Sequence, residues 1–169
     1  MISRKLTLYL ILLPLLCIFP VAAATVSIQV VQIDTVHSDI TESSYIIEDG
    51  ILDEMFNQGH IVSTSPIIIG KNNENSGLEK ALKEAKEGRA DLLAYIKIFF
   101  NTENSLAPDE IRLSNIDKAL WSIYKVSSGK IIDSGFIKPK KITQRNDTER
   151  GIAEFSKDIA NEIGKAINK

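Results

Sequence analysis

The chain has 169 residues, with 20 Lys and Arg against 22 Asp and Glu, and one cysteine, Cys17. A formal net charge of −2 gives no case for a nucleic-acid partner, which needs a concentrated positive field. A single cysteine excludes an intramolecular disulfide and any zinc site built on several thiolates.

The chain opens with Arg4 and Lys5, then an apolar run from Leu6 to Val21, then Ala22-Ala23-Ala24. A short positive start, an apolar centre and a small-residue site predict a secretory signal peptide, cleaved after Ala24. Pro14 and Pro20 interrupt the run, which argues against a retained transmembrane anchor. Leu16 before Cys17 is a poor match to a lipoprotein cleavage site. The expected mature chain is residues 25–169, periplasmic or secreted, with no stable membrane span. Loss of the two basic leader residues leaves 18 basic against 22 acidic side chains, a net charge of −4. Its length suits one domain with a self-sufficient core.

In the mature chain, Val26, Ile28 and Val30 alternate with polar residues before Val31 and Ile33 take the other parity, which predicts a strand buried on both faces. Thr41 or Asp39 is placed to cap the following helix, whose apolar stripe is Ile47, Ile51, Leu52, Met55 and Phe56, with Gly59 as its stop. His60 to Ile69 reads as a strand. Pro66 cannot donate a ladder hydrogen bond, so that strand belongs at an edge or bulges. Ser76 and Glu79 have capping-box spacing before a helix with Leu78, Ala81, Leu82 and Ala85 on one face and Gly88 at its end. Leu92 to Phe100 is the most hydrophobic stretch and is expected at the sheet centre. A long loop, Asn101 to Asn115, contains Pro108. Ile116 to Val126 and Lys130 to Ile137 read as a hairpin joined through Ser127-Ser128-Gly129. Asn146 or Asp147 is placed to cap a last helix with Ile152, Phe155, Ile159, Ile163 and Ile167 inward. The expected fold is α/β or α+β: one mixed sheet of about five strands with three helices, in the order β-α-β-α-β-β-β-α.

The chemical inventory is thin. His37 and His60 are the only histidines; neither has metal-site spacing, and both read as structural. There is no Gly-x-Ser-x-Gly elbow, Walker loop or Gly-x-Gly-x-x-Gly, so no catalytic residue, cofactor or metal is assigned. Asp34, Asp39 and Glu42 do not match a calcium loop, and helix capping explains the latter two. Lys138, Lys140, Lys141 and Arg145 read as a solvated basic loop. Trp121 and Tyr124 fall on opposite faces of one strand: Trp121 is expected in the core, and the outward aromatic of the pair as the better interface candidate.

Two stretches carry a family resemblance. LEKALKEAKEGRADLLAYIKI, directly after Gly77, resembles a helix followed by a Gly-Ala-Asp strand, and LWSIYKVSSGKII, Leu120 to Ile132, resembles a hairpin with a Thr-Gly turn. The group is the periplasmic α/β module family that includes the amino-terminal domain of the Tol-system propeller protein, the curli secretion lipoprotein and the lipoprotein activators of penicillin-binding proteins. Arg89 stands where the group usually has glycine before Ala90-Asp91, Ile96 replaces a usual strand glycine, and Ser128 replaces the threonine before Gly129. The lipid-bearing cysteine is missing. The resemblance implies a non-catalytic envelope module that binds other proteins, with Asp91 and Gly129 in structural roles.

The expected partner is another envelope protein, and self-association is compatible with the pattern. The alternatives are a periplasmic small-ligand binder and, behind it, a hydrolase of envelope polymers. Leu106 and Ile111 are apolar residues in a polar loop; with Pro108 they are the candidate interface, together with a sheet edge.

Overall fold

The computed structural model describes residues 24–71 and 75–169; the expected signal peptide lies outside the described residues save for Ala24. Five strands form one sheet: β1 (Thr25–Ile33), β2 (Ile61–Ile69), β3 (Leu92–Phe100), β4 (Ile116–Lys125) and β5 (Lys130–Ile137). Three helices connect and flank them: α1 (Glu42–Asn57), α2 (Leu78–Glu87) and α3 (Glu149–Ile167). The sheet order is β2-β1-β3-β4-β5. β1 is parallel to β2 and β3, while β3-β4 and β4-β5 are antiparallel. The expected element order and the mixed sheet are therefore present, with β3 at its centre.

Strand parity explains the two cores. Val26, Ile28 and Val30 of β1 join Ala94, Ile96 and Ile98 of β3 and Ala119, Trp121 and Ile123 of β4 beneath α1 and α3. Val31, Ile33, Leu93, Tyr95 and Tyr124 face the other way, against Ala81 and Ala85 of α2. The β1-α1-β2 crossover steps one way along the sheet and β2-α2-β3 steps back past β1; the general right-handed preference of such crossovers then puts their helices on opposite faces.

Pro66 behaves as its chemistry requires. β2 is an edge strand, and its register with β1 shifts between Gln29 and Val31, opposite Pro66. Gln29 Nε2 donates to the Pro66 carbonyl at 2.9 Å. Gly129 takes φ +65° at the β4-β5 turn.

Three local expectations are corrected and one is narrowed. The Ser76–Glu79 capping box does not form: Gly77, at φ +72°, holds the N-cap of α2 with no side-chain cap. Ser76 Oγ instead accepts from the Lys71 amide. The last helix is capped by Thr148, whose side chain accepts from the Gly151 amide, and not by Asn146 or Asp147. Asp147 is engaged by the Ser114 amide and hydroxyl at 2.7 and 2.9 Å. Of the two candidates for the cap of α1, Thr41 holds the N-cap position, although its side chain makes no capping bond. Tyr124 is not an outward aromatic: it is 6 % exposed, because α2 covers that face of the sheet.

Candidate functional site

The connections after β1 and β3 diverge. The first leads over one face into α1 towards β2, and the second runs the opposite way to β4. In an open α/β sheet such a divergence leaves a crevice at the carboxyl ends of the two strands. A half-open cavity of about 360 Å³ lies there, lined by Val36 to Ser43, Phe100, Thr102, Pro108 to Ile111, and Asn115. The first turn of α1 forms one wall, and the Asn101–Asn115 loop the other.

A buried glutamine sets the first wall. Gln32 shares the inward face of β1 with Ile28 and Val30 and is fully buried. Its Nε2 donates to the Asp39 carbonyl at 2.9 Å, and its Oε1 accepts from the Thr41 amide and the Ser44 hydroxyl, both at 2.8 Å. A strand side chain therefore organises the start of α1 that no local cap satisfies.

Asp34 ties the two walls together. Its side chain is inaccessible to solvent. Its Oδ1 accepts from Thr102 Oγ1 at 2.6 Å and from the Val36 amide at 2.9 Å. Its Oδ2 lies 2.8 Å from His37 Nδ1. Burial alone would push its pKa up, but the hydrogen bonds from Thr102, Val36 and His37 outweigh it and hold the carboxyl below its ordinary value. His37 Nε2 meets Asp109 Oδ1 at 3.1 Å, across the crevice. The bonds to Asp34 and Asp109 raise the His37 pKa against a smaller effect of burial.

The second wall is shaped by Asn115, which is 2 % exposed. Its Nδ2 donates to the carbonyls of Ala107, Pro108 and Glu110 at 3.0, 3.3 and 2.8 Å. The loop is thus folded around one buried amide, whose Oδ1 has no partner among the described residues.

Both nitrogens of His37 face carboxylates, so no ring nitrogen is directed at a hydroxyl, as activation of a serine requires. His60 is 4 % exposed with both ring nitrogens unpartnered, and burial lowers its pKa. Among the described residues no group of three or more His, Cys, Asp or Glu is disposed to hold a metal ion, and no helix is long and apolar enough to cross a membrane.

The candidate interface residues separate in space. Pro108 and Ile111 line the crevice, and Ile111 also packs against the main core. Leu106 is fully exposed and does not line the crevice. In the basic loop, Lys138 pairs with Asp117 and Lys140 with Asp158. Sequence reasoning missed Gln32, Thr102, Asp109 and Asn115. Gln32 had a legible signal, a polar residue on the buried parity of a hydrophobic strand; the others are ordinary loop residues until the loop is folded.

Solved structures with a similar chain course include a PelC dodecamer from Paraburkholderia phytofirmans, at 14 % identity, covering 85 % of this chain and 87 % of that one, with a TM-score of 0.45. TolB from Acinetobacter baumannii matches at 12 % identity over 86 % of this chain and 30 % of that one, TM-score 0.41. The LpoB C-terminal domain from Salmonella enterica matches at 15 % identity over 70 % and 87 %, TM-score 0.38. At these identities the likeness is one of fold and brings no function with it. No curated protein matches the sequence. A family model described as "Uncharacterised protein" matches residues 25–168, and the chain belongs to that family.

Proposed function

We propose that the chain is an exported, non-catalytic module of the cell envelope that binds another protein through the Asn101–Asn115 loop and the adjacent crevice rim. The observation that carries this reading is the loop itself. It is held in one shape from within by Asn115, yet it presents Leu106 wholly to solvent. An apolar side chain on a pre-shaped loop loses little conformational freedom on binding. The charged start, apolar run and Ala22-Ala23-Ala24 support export, and the two-carboxylate environment of His37 supports a non-catalytic role.

The test is a photo-crosslinking residue placed at Leu106 in cells, with Lys130 as a control on the opposite end of the sheet. A defined protein adduct at position 106 and none at 130 is the expected result. Equal, diffuse labelling at both would reject the loop as an interface.

The crevice favours a second reading, a small-ligand site. Its volume of about 360 Å³ lies in the range of pockets that hold small molecules. Its lining combines apolar Val36, Ile40, Phe100, Pro108 and Ile111 with convergent polar groups. Density for a retained molecule between Thr102 and Ile40 in crystals of the purified protein would favour this reading over the first.

A further inference from the structure

We propose that His37 is a proton-operated clasp that fastens the tip of the Asn101–Asn115 loop over the crevice and makes the presentation of that loop pH-dependent. The clasp stands on geometry; only its consequence for binding rests on the function proposed above.

An imidazole between two carboxylates satisfies both only while both ring nitrogens carry protons. Here Nδ1 faces Asp34 at 2.8 Å and Nε2 faces Asp109 at 3.1 Å. When one proton leaves, the two contacts compete for the other. Asp34 is buried and would be left short of a donor in a poorly hydrated place, whereas Asp109, with its side chain 89 % exposed, can turn to water. The remaining proton therefore stays on Nδ1. The Nε2 lone pair then faces the Asp109 carboxylate with no hydrogen between them, and the contact opens.

That contact is well placed to matter. Among the described residues, two hydrogen bonds join the loop to the connection after β1: Thr102 to Asp34 and Asp109 to His37. Only the second reaches the segment 105–111 that carries Leu106, Pro108 and Ile111. The Thr102 bond does not involve His37 and keeps the root of the loop attached in both states.

The charged groups around the ring all act in one direction. Asp34 faces the ring from its own connection and Asp109 from the loop; Asp39 and Glu42 line the same crevice from the approach to α1, and Glu110 from the loop. His37 is the only basic side chain in that lining. Glu110 is itself bonded to Arg112, which lies outside the lining. Protonated His37 is thus held by acidic neighbours, consistent with its raised pKa.

The experiment combines an NMR titration of the His37 ring with exchange of the backbone amides in 106–111, Pro108 having none, corrected for the intrinsic pH dependence of exchange, in the exported protein and in Asp109→Asn. In the parent, His37 should titrate above an ordinary histidine. Protection at 106–111 should fall about two- to fivefold through that titration, the scale of one exposed ion pair. In Asp109→Asn the amide can donate to the neutral Nε2, so the His37 titration should move down and the step in protection should vanish. Protection unchanged through the His37 titration overturns the clasp. So does a step that persists at the same pH in Asp109→Asn. Both measurements use the protein alone, so failure of the clasp is distinct from failure to find a partner.

Discussion

Arg89 holds φ at +57°, the left-handed region, one residue after the C-cap Gly88 of α2. The chain must reverse there from helix into β3, and the Arg89 amide bonds to the Lys86 carbonyl as it does so. A side chain in this conformation costs about 1–2 kcal/mol, and glycine avoids that cost while losing somewhat more entropy on folding. Arg89→Gly should therefore stabilise the fold by about 0.5–1 kcal/mol, read as a higher denaturant midpoint at unchanged slope. A lower midpoint would mean that the arginine side chain contributes more than the strain removes. The two histidines make a second residue-scale prediction, with opposite signs. His37 has a raised pKa in the fold, so between 6.5 and that higher value the folded state binds more protons than the unfolded chain. Its contribution is complete below 6.5 and is lost as pH rises through the folded pKa. His60 has a lowered pKa through burial, so the unfolded chain takes up its proton first and stability is lost as pH falls below 6.5. In urea titrations against pH, His37→Asn should remove the loss on the alkaline side, and His60→Phe should remove the His60 part of the loss on the acid side. Profiles that both keep the parental shape would contradict these assignments.

At the scale of elements, α1 and α3 approach each other closely at Gly50. An ideal Cβ there would lie 1.9 Å from Ser156 Oγ and 2.9 Å from Ser156 Cβ. Ser156 is fully buried, and its hydroxyl donates to the Ala153 carbonyl at 2.7 Å. Gly50→Ala should lower stability by about 1–3 kcal/mol, despite the better helix propensity of alanine, worth about 1 kcal/mol. Adding Ser156→Ala should recover part of that loss, because it removes the nearer of the two contacts. A thermal melt of Gly50→Ala at or above the parent would show that the helices separate without penalty. This close approach was not legible in the sequence, where Gly50 lies inside a helical pattern and resembles only a weak position. What was legible followed from period and punctuation: the alternation of β1, the Pro66 edge, the β3 centre and the Gly129 turn each rest on local chemistry that tertiary contacts do not override. The caps were misread for the opposite reason. Ser76, Asn146 and Asp147 have capping chemistry, but Gly77 and Thr148 take those places, while Gln32 reaches the start of α1 from a neighbouring strand. The crevice was hidden likewise, because Asp34, His37, Thr102 and Asp109 meet only when β1 and β3 pair.

For the whole molecule, the central issue is how a stable two-sided core coexists with an exposed apolar residue on a shaped loop. Besides the His37–Asp109 contact and the Ser114–Asp147 bonds, three attachments hold the loop. Thr102 anchors its root to Asp34, Asn115 gathers its backbone from within, and Ile111 packs into the main core. Leu106 takes part in none of these; the fold gains nothing evident from it. Leu106 and Ile111, similar in the sequence, should therefore separate on substitution. Leu106→Ser should leave the melting temperature within the range of a neutral surface change, about 0.5 kcal/mol either way, and should abolish the crosslinked adduct formed when the probe sits at the neighbouring Ser105. Ile111→Ser places a hydroxyl where a half-buried side chain packs, and should cost about 1–2 kcal/mol through lost apolar burial; its adduct yield per folded molecule should fall less than that of Leu106→Ser. Thermal denaturation and quantified adduct yield from the same preparations check both. A Leu106→Ser protein that melts early would show that the leucine supports the fold, and one that melts normally and keeps its adduct would remove Leu106 from the interface.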